Sequence, residues 1–115
     1  MDSALNEAIV QGMQAKKAQD ITLLDLKKIQ HAVADYFIIC SGSAQRQVEA
    51  IADGIVEATY QQAGERPWKQ EGLAVREWIL LDYGNVVVHV FHQQKRPYYM
   101  LDTLWGDAVI THITS

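Results

Sequence analysis

One cysteine and two prolines are all that the 115 residues contain of those types, and each scarcity removes a class of protein. Cys40 has no second thiol to pair with, so an internal disulfide is excluded. Its place in "FIICSG" reads as a buried small hydrophobe rather than a nucleophile. With proline only at Pro67 and Pro97, and glycines scattered singly, the chain shows no linker, repeat or low-complexity segment. Apolar runs such as Val86 to Val88 fall far below the roughly 20 residues of a membrane span. The N-terminal "MDSALNEAIVQGMQAKK" places its lysines after its apolar residues, the reverse of a signal peptide. The expectation is one cytoplasmic domain over residues 1–115.

Positive charge is also short: 10 Lys and Arg stand against 14 Asp and Glu, for a net charge of −4. Residues 1–65 hold five basic and nine acidic side chains, and residues 66–115 hold five of each. Tight binding to a phosphate backbone needs a cationic stripe whose counterions it releases, so direct nucleic-acid contact is disfavoured. A basic protein partner remains open, with charge steering the encounter.

A composition of 49% hydrophobic and 21% charged residues suits a globular core that needs no staples. Leu5, Ile9 and Met13 recur at four-residue steps, which predicts a helix over 3–18 capped by Asp2 or Ser3. Ile21–Leu26 and Tyr36–Cys40 read as two strands joined in a hairpin through "KKIQHAVAD". Val48, Ile51, Ala52, Ile55 and Thr59 then predict a second helix, with Ser43 as N-cap and Gly64 as its stop. Glu77–Asp82 and Val86–His92 follow as strands joined by "YGN", where Gly84 and Asn85 suit a positive φ. The second of these strands lacks polar alternation and so belongs in mid-sheet, either between helices or with one face buried in a partner. Pro97 opens a last predicted helix with Met100, Leu101, Leu104 and Trp105 as its apolar face and Gly106 as its stop. A short tail strand over Val109–Ile113 completes an α/β (α+β) order.

The stretch "DYFIICSGSAQRQ" runs a strand through a small-residue turn into a helix, a layout that can hold a phosphate. It has one glycine, no lysine, and Arg46 inside the helix, so the plainer reading is that Gly42 turns the chain and Ser43 caps the helix. Nucleotidyltransferases share this layout but add a pair of carboxylates one residue apart on the following strand to hold Mg²⁺. That pair is missing: Asp82 ends its strand alone, and His89 stands in "VVVHVF" where a further carboxylate might be sought. His89 and His92 are three apart on a strand and point to opposite faces, which is not metal-ligand spacing. No catalytic residue, metal site or cofactor is assigned.

What the second half does hold is aromatic: Trp68, Trp78, Tyr83, Phe91, Tyr98, Tyr99 and Trp105. Trp and Tyr serve as interface anchors because one end desolvates while the other keeps a hydrogen bond. Strand alternation places Trp78 and Leu80 on one face and Ile79 and Leu81 on the other. The plain aliphatic pair suits helix packing, which leaves Trp78 for a partner.

In order along the chain, "DITLLDL", "ADYFIICSGSAQRQVEAIADGI", "EGLAVREWILLDYGNVVVHVF" and "RPYYMLDTLWGDA" resemble the successive signature blocks of the ribosomal silencing factor family, also called RsfS or Iojap. The resemblance runs from Leu5 to Ala108. It implies a nucleotidyltransferase-like mixed sheet with flanking helices, without the catalytic carboxylates. It further implies a protein that binds the fourteenth protein of the large ribosomal subunit, blocks subunit joining and represses translation when nutrients are short. By position, the partner surface would comprise Trp78, Tyr83, Gly84, His89, Phe91, Tyr98, Tyr99 and Trp105. Asn85 departs from the Asp that many relatives carry after the glycine. Two other readings stay open: a nucleotide-binding enzyme with a reworked site near Ser41, Ser43 and Asp82, and a module that mainly forms homodimers through its aromatic face, expected of the free protein in any case.

Overall fold

A computed structural model describes residues 3–95 and 108–113. Helix α1 spans Ala4–Ala15, and the Ser3 side chain caps it by accepting from the Asn6 amide at 3.0 Å. The chain leaves the helix three residues earlier than its periodicity suggests, because Lys16 caps it and Lys17 turns with φ 59°. Strands β1 (Gln19–Asp25) and β2 (Tyr36–Gly42) pair antiparallel, as the hairpin reading requires. Helix α2 runs Gln45–Ala63 and stops at Gly64, whose φ of 65° is the left-handed C-cap expected of glycine.

The start of α2 corrects the sequence reading. Ala44 is the N-cap and has no side-chain cap bond, while Ser43 lies one position earlier. Both the Ser43 amide and its hydroxyl donate to the Gln47 carboxamide oxygen, so Gln47 reaches back and captures the serine. The Gln47 amide donates in turn to the Lys16 and Lys17 carbonyls, tying the start of α2 to the end of α1.

Strands β3 (Lys69–Glu71), β4 (Trp78–Asp82), β5 (Val86–His92) and β6 (Val109–Ile113) complete a six-stranded mixed sheet in the order β3-β4-β5-β2-β1-β6. The largely apolar β5 lies inside the sheet, parallel to β2 and antiparallel to β4. A parallel pair needs a crossover, which α2 supplies. In the β4–β5 turn Gly84 takes φ 93°, whereas Asn85 stays out of the left-handed region. The Asn85 carbonyl accepts instead from the Asp35 and Tyr36 amides, joining this turn to the entry of β2. The tail strand β6 pairs antiparallel with β1. The short, polar β3 was not anticipated.

Alternation splits the sheet into two apolar layers. On one face Ile38, Cys40, Ile79, Leu81, Val88 and Val90 pack under Ile9, Met13, Val48, Ile51 and Ile55, so both described helices cover the same side. The helices approach closely there: a Cβ on Gly12 would lie 2.8 Å from Ile55 Cα. Ile79 and Leu81 are fully buried, worth about 1.5–3 kcal/mol each. On the second face Leu24, Phe37, Ile39, Val87 and Phe91 form their own cluster with Leu26 and Ala34, and Trp78 and Leu80 pack against it half-buried. The predicted last helix, with Met100, Leu101, Leu104 and Trp105, lies outside the described residues.

Candidate functional site

The second face is built by β4, β5 and β2 in register: Trp78 lies opposite Phe91, Leu80 opposite His89, and His89 beside Ile39. Trp78 and His89 are therefore diagonal neighbours, within reach of long side chains. The indole Nε1–H donates to His89 Nδ1 at 3.0 Å. The Trp78 ring stacks on Phe91 with centroids 5.2 Å apart and planes at 29°, and Phe37 meets the imidazole edge-on at 4.8 Å and 68°. Three aromatic walls thus surround His89, which is 3% exposed, and burial pushes its pKa down to about 4. The ring is neutral at physiological pH. Because Nδ1 accepts from the indole, the ring proton sits on Nε2, which is buried and has no hydrogen-bond partner among the described residues.

The backbone entering β4 is fixed from outside the sheet. Gly72 turns with φ 85°, Arg76 turns with φ 60°, and Arg76 Nη1 meets Glu49 Oε2 on α2 at 2.9 Å. Gln45 at the start of α2 donates to the Val75 carbonyl at 3.0 Å. Glu77 accepts from the His92 amide at 2.8 Å through its carbonyl, so Trp78 emerges from a loop anchored to both α2 and β5.

Of the residues carried over from the resemblance, Trp78, His89 and Phe91 come together as one stacked cluster. His89 and Phe91 are its buried floor and Trp78 its half-buried upper member. Tyr83 lies on the opposite face, 7% exposed among the residues under the helices, with its hydroxyl 2.9 Å from Thr59 Oγ1. Burial pushes its pKa up, partly offset by the Thr59 hydrogen bond. Gly84 sits at the far end of the β4–β5 hairpin beside the Trp68 indole. Tyr98, Tyr99 and Trp105 lie outside the described residues. Two side chains not singled out as sites are the most exposed large apolar residues described: Trp68 at 79% and Val33 at 77%. Trp68 offered a signal, as one of the aromatics of the second half; Val33 offered none.

The residues of the enzyme reading are not assembled. Asp82 pairs with Val87 and Ser41 with Phe91, so they occupy opposite ends of the sheet. The Asp82 carboxylate accepts from the Gly84 amide at 2.8 Å and so serves the turn. Ser43 lines an open groove of about 410 Å³ with Gln45, Glu77, His92 and Lys95, where Lys95 pairs with Glu77 at 3.5 Å. Among the described residues no group of three or more His, Cys, Asp or Glu is placed to hold a metal ion.

Fold and site together define a class: a small mixed-sheet domain with helices α1 and α2 on one face and a tryptophan-bearing aromatic cluster on the other. The chain belongs to the family described as ribosomal silencing factor during starvation, whose model matches residues 2–115. A Bacillus subtilis relative named ribosomal silencing factor RsfS is 46% identical over 98 residues, covering 85% of this chain and 81% of that protein. An X-ray crystal structure of a Chromobacterium violaceum protein superposes with a TM-score of 0.82 at 30% identity, covering 96% of this chain and 91% of that one. A more distant mouse relative, named mitochondrial assembly of ribosomal large subunit protein 1, is 27% identical over 101 residues, which are 86% of this chain and 44% of that protein.

Proposed function

We propose that this protein is a cytoplasmic translation repressor that docks the Trp78-bearing sheet face on the large ribosomal subunit and sterically blocks joining of the small one. The docking partner is the fourteenth protein of the large subunit, and no chemistry is involved. Membership of the silencing family and the large-subunit wording in the mouse relative's name support the ribosomal reading. The observation that carries the choice of face is the cluster itself: an indole half-buried on a floor of Phe91 and His89, on the side that α1 and α2 leave uncovered.

The proposed surface is thus centred on Trp78 and Leu80, with His89 and Phe91 as its support, and by the family resemblance alone Tyr98, Tyr99 and Trp105 are assigned to it as well. Gly84 and the neighbouring Trp68 form its outer margin at the hairpin. Tyr83 acts beneath it by holding the hairpin to α2. A standard interface buries about 800 Å² on each partner, and in the absence of the ribosome the same apolar face pairs two copies of the chain. The test is retention of purified ribosomal subunits on the immobilised protein. Large subunits held and small ones released support the reading; equal retention of both, or of neither, refutes it.

A further inference from the structure

His89 is an unusual occupant of its position. Its ring is walled by Phe37, Phe91 and Trp78 beside an apolar cluster, and its buried Nε2–H has no partner among the described residues. An unmet buried donor destabilises a fold, and such a group in a native protein calls for a reason. A phenylalanine would fill the same aromatic niche without that defect. It would, however, lose the hydrogen bond that Nδ1 accepts from the Trp78 indole.

That bond matters because Trp78 is held little by burial. The side chain is half-buried, and its stack on Phe91 at 29° is a non-directional contact. The Nε1–H···Nδ1 bond of 3.0 Å adds a directional restraint, since bonds of this kind weaken steeply away from linearity. An anchor locked before docking loses less conformational freedom on binding. We infer that His89 is a positioning residue for Trp78: its Nδ1 locks the indole in the orientation that docks, while the imidazole itself touches no partner. The inference rests on the proposed docking face and makes a claim of its own about the free protein.

Three substitutions separate the roles of the ring. His89→Asn places an acceptor at the distance of Nδ1 from Cβ, His89→Gln places its amide at the distance of Nε2, and His89→Phe removes both. Each is followed by the indole N–H resonance in a ¹H–¹⁵N spectrum, by melting temperature, and by affinity for purified large ribosomal subunits. The expected result is that His89→Phe melts no lower than wild type, shifts the Trp78 indole resonance, and binds about 10-fold more weakly. His89→Asn keeps the indole resonance and binds within about 3-fold of wild type, whereas His89→Gln behaves like His89→Phe. In a Trp78→Phe background, His89→Phe leaves affinity unchanged to within about 2-fold, because the group through which it acts is gone.

An unshifted indole resonance in His89→Phe overturns the inference whatever the affinity. So does wild-type affinity in that variant, or a further loss of affinity in the Trp78→Phe background. Should His89→Phe fail to fold, the Asn and Gln pair decides, and the reverse order of the two contradicts the inference. If wild type itself retains no large subunits, the docking reading fails, while the indole resonances still report whether the lock exists.

Discussion

Gly72 and the Trp78 carbonyl occupy each other's space: a Cβ built on Gly72 would fall on the Trp78 oxygen, and Gly72 also turns with φ 85°. The strand that carries the proposed anchor can start where it does only if residue 72 has no side chain. Gly72→Ala is therefore expected to destabilise the fold by about 2–4 kcal/mol, combining left-handed strain with overpacking against backbone. Denaturant unfolding should show a lower midpoint with an unchanged m-value. A midpoint within error of wild type would mean that the loop relaxes freely and does not set the position of Trp78.

Tyr83 provides the contrasting case, since it lies five residues from Trp78 yet on the other face. Its hydroxyl meets Thr59, which also donates to the Val56 carbonyl at 3.1 Å. Tyr83→Phe removes one buried hydrogen bond and is expected to cost about 1 kcal/mol of stability. Large-subunit binding at 25 °C should stay at the wild-type level. A loss of binding with unchanged stability would move Tyr83 into the interface.

Acid sensitivity follows from His89. Its folded pKa of about 4 lies below the ordinary 6.5, so between those values the unfolded chain binds the proton and the folded chain does not. Stability then rises with pH across the window and falls as pH drops from 6.5 to 4, by on the order of 3 kcal/mol. The measurement is the urea midpoint against pH for wild type and His89→Phe. The steep limb between pH 6.5 and 4 should flatten in the variant; parallel curves would assign the acid sensitivity to other groups.

How far the sequence alone led can be read from individual residues. The alternation of Trp78 and Leu80 against Ile79 and Leu81, and the interior place of the largely apolar β5, were legible because strand period and burial are local signals. The Gly64 stop and the Gly84 turn were legible for the same reason. What failed was non-local or competitive. Ser43 has the right chemistry for a cap, but Gln47 takes its hydrogen bonds. Lys69–Glu71 has no apolar pattern and becomes a strand only through pairing with β4. Tyr83 resembles an exposed turn residue until Thr59, 24 positions away, draws it under the helices. The bond between Trp78 and His89 depends on the hairpin register, which no local pattern states.

The central claim is that docking of the Trp78 face prevents the two ribosomal subunits from joining, and the most direct measurement is the joined fraction in a density gradient. Separated subunits are mixed under joining conditions with no protein, with wild type, with Trp78→Ala, and with Trp78→Phe, which retains most of the ring packing should the alanine variant be less stable. Removing a central anchor costs roughly 2 kcal/mol or more of binding, about 30-fold in affinity. The account predicts that wild type lowers the joined fraction and that Trp78→Ala, still folded by circular dichroism, leaves it near the protein-free value at the same concentration, with Trp78→Phe between the two. A joined fraction that wild type does not lower, or that Trp78→Ala lowers equally, would contradict it.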